Sequence, residues 1–283
     1  MIRTTLAASA LLLGACATTE PMSDTMSESV ARTTVTSSTA VVSSGKERIS
    51  SPGSRYSAPV WYSDSFKGQG TRTLDGQVLV LDMEQITKDG GIDTAIAFEP
   101  ANMVKPSVSQ IHPDHYVCFR YDVDLETEGK WWAGPKISVN WNDDPDNYHG
   151  LKGWYENYIV ETASQTPAEL VAELTGDYFK GRYLGTTSHD GGTYKHYRIA
   201  FMDWTQFYAV RDSWRDQGAT TIGPILAKWA ENGLTDDPYD GSKINIETYG
   251  PTSGRVEIEG WIPDDATVAP SQPPAPNCYA RRG

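Results

Sequence analysis

The chain has 283 residues, and its 37 Asp and Glu against 24 Lys and Arg give a formal net charge of -13 at pH 7. A chain this acidic has no stripe of basic residues that could bind phosphate groups, which argues against nucleic acid as a partner. The negative charge also disfavours a polyanionic substrate. The roughly two hundred residues between its terminal segments are enough for one well-cored domain.

Residues 1–16 have the features of a bacterial lipoprotein signal. Arg3 precedes an apolar run that ends in Leu-Gly-Ala-Cys at residues 13–16. The run is too short to span a bilayer permanently and has the layout of a secretory signal. Its end resembles the lipobox, in which the cysteine is lipidated and becomes the new N-terminus. We therefore expect a lipid anchor at Cys16, and Ala17 in place of Asp favours an outer membrane. An ordinary cleaved signal with an incidental cysteine is the alternative.

The two segments that flank the domain differ from it in composition. Residues 17–56 are rich in Ser and Thr with almost no large apolar side chains, so we expect a flexible tether. Residues 263–283 contain five prolines and predict an extended tail. The domain is then expected at 57–262. In an oxidising compartment a disulfide between Cys118 and Cys278 would pin the tail to the domain, and two unpaired thiols are the alternative.

Most of the region 57–262 has the pattern of short strands, rich in Tyr, Trp, Val, Ile and Thr and interrupted by Gly, Asp and Asn. This pattern indicates a β-sandwich or barrel. Two helices are predicted within it. The first, at 166–176, opens with a capping box made by Thr166 and Glu169, with proline at the first helical position. The second lies at 221–234. Its apolar residues at helical spacing are Ile222, Ile225, Leu226 and Trp229.

Two glutamates about ninety positions apart lie on two predicted strands. Because side chains alternate faces along a strand, Glu156 shares a face with Tyr158, and Glu247 shares one with Asn245 and Tyr249. Aromatic rings stack on sugar rings, and amide and hydroxyl groups bind sugar oxygens. A pair of carboxylates in such surroundings is what cleavage of a glycosidic bond requires, one to attack the sugar and one to protonate the leaving oxygen.

Six segments follow one another along the second half of the chain: SVNW at 138–141 continued by NY at 147–148 and KGW at 152–154, ENYIVE at 156–161, YLGT at 183–186 with DGGTY at 190–194, QFYAVR at 206–211, AKWA at 227–230, and ETY at 247–249 followed by TSG at 252–254. In this order they resemble glycoside hydrolase family 11, the β-jelly-roll endo-β-1,4-xylanases. The resemblance implies an all-β jelly-roll sandwich of two curved antiparallel sheets with one principal helix packed on the outside.

The resemblance also implies a function and the roles of particular residues. It implies a retaining endo-glycosidase that hydrolyses xylan or a related neutral β-1,4-glycan by double displacement, with Glu156 as nucleophile and Glu247 as acid/base. Tyr158 would hydrogen-bond the nucleophile or the ring oxygen, and Gln206 would bind beside it from the adjacent strand. Asn147 would tune the pKa of Glu247. At the expected separation of about 5–5.5 Å the two carboxyls cannot both ionise freely, so one pKa should rise.

Tyr249 shares the face of Glu247 and is expected to bind substrate. The chain also departs from the family. The hairpin that forms the family's thumb is shortened to 199–204, and the helix at 166–176 is extra. A non-catalytic surface glycan-binding protein on the same scaffold is therefore the main alternative, and a jelly-roll polysaccharide lyase is a distant third.

No cofactor and no metal are expected, and the protein is expected to be a monomer.

Overall fold

The computed structural model describes residues 33–37, 47–49, 60–65, 68–75, 78–86, 91–98, 105–139, 154–201, 204–263, 266–270 and 278. These residues form strands β1 (Thr33–Ser37), β2 (Glu47–Ile49), β3 (Val60–Ser65), β4 (Gly68–Asp75), β5 (Val78–Ile86), β6 (Gly91–Phe98), β7 (Tyr116–Thr127), β8 (Lys130–Val139), β9 (Trp154–Val160), β10 (Thr162–Ala163), β11 (Arg182–His189), β12 (Gly192–Ala200), β13 (Trp204–Arg211), β14 (Gln217–Thr221), β15 (Tyr239–Tyr249) and β16 (Thr252–Trp261). The helices are α1 (Pro167–Thr175) and α2 (Gly223–Ala230), with a 3-10 turn at Val108–Gln110.

The strands form two sheets. The smaller has six strands in the order β1-β4-β5-β16-β7-β14. The larger has ten, in the order β11-β12-β13-β9-β8-β15-β6-β3-β2, with β10 paired to β8 beside that path. This confirms the predicted all-β fold of two sheets.

One strand pair differs from the predicted antiparallel arrangement. β9 and β13 run parallel, with Glu156 in register with Gln206 and Tyr158 with Tyr208. A parallel pair needs a long crossover between its strands, and here the chain passes through β10, α1, β11 and β12 before it returns. Residues that are paired in this register, such as Glu156 and Gln206, therefore lie side by side on the same face of the sheet.

The main hydrophobic core fills the space between the two sheets. Each sheet contributes alternate residues, as expected where strands have one face towards the interior. From the six-stranded sheet come Leu81, Phe119 and Val256, which are at most 3% exposed. From the ten-stranded sheet come Ile137, Ile159, Phe207, Ile244 and Ile246, which are at most 1% exposed.

The helix α2 packs onto this same core, as the sequence pattern predicted. Its three apolar side chains, Ile225, Leu226 and Trp229, are at most 2% exposed, and the ring of Trp229 lies 5.8 Å from that of Phe207. Gly233 follows the helix with φ of 103°, a left-handed conformation that glycine adopts without steric cost. The predicted principal helix is therefore confirmed.

The helix α1 packs on the opposite face of the ten-stranded sheet. Its predicted capping box is present, since Thr166 accepts a hydrogen bond from the backbone of Glu169 and the Glu169 side chain accepts one from the backbone of Thr166. Leu170 and Leu174 are at most 2% exposed. They form a second cluster with residues of four strands. Those residues are Trp132, Tyr158, Val160, Tyr197, Ile199, Tyr208 and Val210.

Two segments outside the predicted domain contribute to the fold. Within the segment 17–56, which we expected to be a tether, β1 pairs with β4 and β2 pairs with β3. β1 consists mostly of Thr and Val, whose branched side chains favour strands, and it lies at the edge of the six-stranded sheet. In the C-terminal segment, a disulfide joins Cys278 to Cys118 on β7. No helix among the described residues is long and apolar enough to cross a membrane.

Candidate active site

The two glutamates lie on the face of the ten-stranded sheet that is turned away from the main core, hereafter the site face. Glu156 is on β9 and Glu247 is on β15, and β8 lies between these strands and pairs with both. Gly134 of β8 allows the close approach of β9, because a Cβ atom there would lie 1.8 Å from the carbonyl oxygen of Ile159. The predicted alternation holds, since Ile159 and Ile246 point into the core on the other face.

Glu156 accepts hydrogen bonds from two neighbours that the sequence predicted. The hydroxyl of Tyr158 donates to Oε2 over 3.1 Å, and Nε2 of Gln206 donates to the same oxygen over 3.1 Å. Gln206 is itself oriented by the hydroxyl of Tyr208, which donates to its Oε1 over 3.2 Å. These donors restrict the rotation of the Glu156 carboxylate.

Glu247 has a comparable set of neighbours along its own strand. The hydroxyl of Tyr249 donates to Oε2 over 2.9 Å, and Nδ2 of Asn245 donates to Oε1 over 3.2 Å. The ring of Tyr249 lies 4.8 Å from that of Trp132 on β8, and Tyr249 is 49% exposed. A half-exposed aromatic ring beside a recessed carboxylate can stack on a sugar ring.

A buried lysine on β8 joins the two carboxylates. Nζ of Lys136 lies 3.1 Å from Oε1 of Glu156 and 2.9 Å from Oε1 of Glu247. The two carboxylate oxygens are therefore within about 6 Å of each other, close to the separation used in retaining glycosidases. Sequence reasoning expected each carboxylate to face the other directly, and it missed Lys136. The available signal was a single lysine inside the strand segment Ala133–Val139, which otherwise consists of apolar residues, glycine, proline and a serine.

Tyr208, which lies beside the site, stays neutral. The rings of Tyr158 and Tyr208 stack with centroids 5.0 Å apart. Burial, followed by the negative charges of Glu247 and Glu156, raises the pKa of Tyr208 well above its ordinary value of 10. Its hydroxyl is therefore a permanent hydrogen-bond donor to Gln206 rather than a group that titrates during a reaction.

The charged groups are recessed. The side chains of Glu156, Glu247 and Lys136 are 12%, 6% and 5% exposed. Next to them, α1 and its apolar cluster cover the part of the site face that carries Val160 and Tyr208. Of the three, Glu156 is the most open to a ligand, and the low exposure strengthens every electrostatic contact in the group.

Asn147 and Cys16 lie outside the described residues. Among the residues that the structure describes, no group of three or more His, Cys, Asp or Glu side chains could hold a metal ion. In the described parts of the chain, the candidate active site is therefore the cluster of Glu156, Glu247, Tyr158, Gln206 and Tyr249.

Parts of the chain are similar in sequence to known xylanases. No family model matches the chain. A stretch of 141 residues is 33% identical to the probable endo-1,4-beta-xylanase B of Aspergillus clavatus, covering 43% of this chain and 59% of that protein. A stretch of 112 residues is 31% identical to endo-1,4-beta-xylanase A of Piromyces sp, covering 38% of this chain and 17% of that protein. The chain thus spans less than two thirds of the length of these curated relatives.

A solved structure shows the same fold. The wild-type ENZbleach xylanase is 18% identical, with a TM-score of 0.54, over 81% of this chain and 84% of that chain. At this identity the likeness concerns the fold alone. Together with the curated relatives, it confirms the resemblance of this chain to xylanases, from which its sequence has diverged widely.

Proposed function

We propose that the protein is a retaining endo-glycosidase that hydrolyses xylan or a related neutral β-1,4-glycan. The observation that carries the proposal is the pair formed by Glu156 and Glu247, with oxygens within about 6 Å on one face of a sheet. The names of the curated relatives, which are endo-1,4-β-xylanases, support xylan as the substrate class. Tyrosine and amide groups beside both carboxylates suit a neutral sugar chain.

In the first step of this mechanism, Glu156 attacks the anomeric carbon of the sugar on the non-reducing side of the bond. A bond forms between a Glu156 oxygen and that carbon, and the bond from the carbon to the leaving oxygen breaks. Glu247, in its protonated form, gives its proton to the leaving oxygen. The products of the step are a shortened glycan with a new hydroxyl and a glycosyl ester on Glu156.

In the second step, Glu247 acts as a base. It takes a proton from a water molecule, whose oxygen attacks the anomeric carbon and displaces Glu156 as a carboxylate. Glu247 is then protonated again, and the anomeric configuration is the same as in the substrate. The donors Tyr158 and Gln206 hold Glu156 in one orientation for both steps, and they stabilise the carboxylate that departs.

The test separates the two roles. Purified wild-type protein should release reducing ends from xylan, whereas Glu156→Ala and Glu247→Ala should not. On an aryl glycoside with a good leaving group, which needs no proton, the first step should survive in Glu247→Ala but not in Glu156→Ala. Glu231→Gln, at an exposed carboxylate on the far side of α2, is the matched control. If wild type and Glu156→Ala behave alike across a panel of β-glycans, the proposal is wrong.

A second candidate is a surface protein that binds glycans without cleaving them. The contact of Lys136 with both carboxylates favours it, because an ammonium ion stabilises two carboxylates while cleavage needs a proton on one of them. Titration of xylo-oligosaccharides by calorimetry separates the candidates. Binding by wild type without product, and equal binding by the double variant Glu156→Gln/Glu247→Gln, would support this second function.

For its location, we propose that the protein is anchored to the outer membrane through lipidated Cys16. The support is the sequence at residues 13–16, which resembles a lipobox. Metabolic labelling with a palmitate analogue in a bacterial host should label the wild type and not Cys16→Ala. Equal labelling of both, or of neither, would contradict the anchor.

A further inference from the structure

Lys136 occupies the middle of the site face, between the strands that carry the two glutamates. In the strand register it lies opposite Tyr158 of β9 on one side and Lys243 of β15 on the other. Its side chain is 5% exposed. A lysine this deeply buried is rare unless it is paired, and here its partners are the proposed catalytic residues themselves.

The contacts of Lys136 with the carboxylates are short and nearly symmetrical. Nζ is 3.1 Å from Oε1 of Glu156 and 2.9 Å from Oε1 of Glu247, and it lies 4.8 Å from the centre of the Tyr158 ring. In a recessed site, contacts between opposite charges at these distances are several times stronger than in water. Lys136 therefore offsets the repulsion that two carboxylates this close would otherwise exert on each other.

The charge balance shows what the lysine replaces. Two carboxylates and one ammonium ion carry a net charge of -1, as do one carboxylate and one neutral carboxylic acid. A pair without the lysine lowers its repulsion by keeping a proton on one carboxyl, which is the state needed for general acid catalysis. With Lys136 in place, the same charge is reached without that proton.

Other titratable or charged residues lie near this group on the sheet. They are Tyr158, Tyr208, Tyr249, Lys130, Glu173, Lys243 and Asp93. The tyrosines donate neutral hydroxyl groups. Lys130 donates to Glu173 of α1 over 2.6 Å. In the strand register Lys243 pairs with Lys136, and Asp93 pairs with Glu247.

We propose that Lys136 is a positioning residue that keeps both Glu156 and Glu247 ionised before substrate binds, and that it thereby confines hydrolysis to acidic pH. The inference rests on the proposed function, because it assigns a role to Lys136 within that site. The proton that Glu247 delivers to the leaving oxygen is then taken up from solvent at low pH.

The test is the dependence of kcat/KM on pH between 3.5 and 9 for a soluble aryl xylo-oligosaccharide. In Lys136→Met, the alkaline limb of the profile should move to higher pH by about one unit or more, because one carboxyl can now retain a proton. Lys136→Arg keeps the positive charge and should keep the wild-type limb. An unmoved limb in Lys136→Met, or loss of its activity at every pH although it is folded, would overturn the proposal.

A measurement on the wild-type protein decides the question without activity. With glutamate labelled by ¹³C at the carboxyl carbon, and signals assigned by Glu156→Gln and Glu247→Gln, both carbons should have the chemical shift of an ionised carboxylate at pH 6. A protonated carboxyl at that pH would contradict the proposal even if Lys136→Met failed to fold. If no variant cleaves any β-glycan, the proposed function fails, while this spectrum still tests the lysine.

Discussion

Two carboxylates of one short segment, the partly exposed Glu156 in β9 and the buried Glu161 just after it, lie in different electrostatic surroundings. Glu161 is fully buried, and its Oε2 accepts a hydrogen bond from Nε of Arg215 over 2.8 Å, while its Oε1 accepts one from Nη2 of that residue over 3.1 Å. Tyr194 donates to it over 2.7 Å, and Thr220 donates as well. A second guanidinium is close to the same carboxylate, since Nε of Arg211 lies 3.9 Å from Oε2 of Glu161.

At the site face there is one cation for two carboxylates, because Lys136 is shared by Glu156 and Glu247. Burial and a cationic partner are common to both regions, so neither feature alone marks a functional site. What differs is the ratio of positive to negative groups, together with the partial exposure of Glu156. On this ground we assign Glu161 to the stability of the fold, and we assign Glu156 and Glu247 to the proposed chemistry.

The largest predicted effect, and the strongest test of this comparison, concerns Glu156. Glu156→Gln should lower kcat/KM on xylan by roughly 10⁴-fold or more, since the nucleophile is removed. Its free energy of unfolding in urea should change by less than about 1 kcal/mol, because the residue is not in the core. A variant with normal activity, or one that is unfolded, would show that Glu156 serves the fold as Glu161 does.

Glu161 should give the reverse result. Glu161→Gln leaves the Arg215 guanidinium buried without its partner, which should lower the free energy of unfolding by about 3–5 kcal/mol. The kcat/KM of the fraction that remains folded should stay near the wild-type value. Urea unfolding and initial rates on the same preparation measure both quantities, and a large loss of rate in folded protein would remove the distinction between the two carboxylates.

A pH-dependent loss of stability should arise away from the site, at His196. Burial, followed by the charges of His189 and Lys228, lowers the pKa of His196 to about 3. In the unfolded chain the imidazole titrates near 6.5, so below that pH the unfolded state binds the proton first. The stability due to neutral His196 is complete above pH 6.5 and is lost as the pH falls towards 3.

Between pH 7 and 4.5 this loss amounts to about 2 kcal/mol. Urea unfolding of wild type and of His196→Gln at the two pH values isolates this contribution. The free energy of unfolding of the variant should fall by about 2 kcal/mol less than that of the wild type. Equal losses in both proteins would mean that His196 titrates normally. Because this change is in stability, it can be separated from the pH dependence of rate that we assign to Lys136.

The smallest effects should come from the two tyrosines that donate to the two carboxylates. Tyr158→Phe removes the hydrogen bond to Glu156 and should lower kcat/KM by about tenfold, which corresponds to about 1.4 kcal/mol. Tyr194→Phe removes the hydrogen bond to Glu161 and should instead lower the free energy of unfolding by about 1–3 kcal/mol. If both variants affect the same quantity, the comparison does not hold.

Local features of this molecule could be predicted from the sequence because they depend on residues close together in the chain. The alternation that places Tyr158 beside Glu156 and Tyr249 beside Glu247 is a property of any strand. The capping box of α1 and the apolar stripe of α2 likewise follow from spacings of three and four residues.

Features that depend on which strands become neighbours could not be predicted in this way. Lys136 reaches both glutamates because β8 lies between β9 and β15, a matter of sheet order and register over more than a hundred residues. The parallel pairing of β9 with β13, and the packing of α1 on the site face, have the same origin. Periodicity shows which face a residue occupies, but it does not show what lies beside it.

The central claim, that Glu156 and Glu247 act as nucleophile and acid/base in a double displacement, is tested most directly by the configuration of the first product. Proton NMR can follow the anomeric signals of a xylo-oligosaccharide during the first minutes of hydrolysis, before mutarotation mixes the anomers. We predict that the β-anomer appears first and that the α-anomer follows by mutarotation. Initial formation of the α-anomer, or no cleavage at all, would contradict the account.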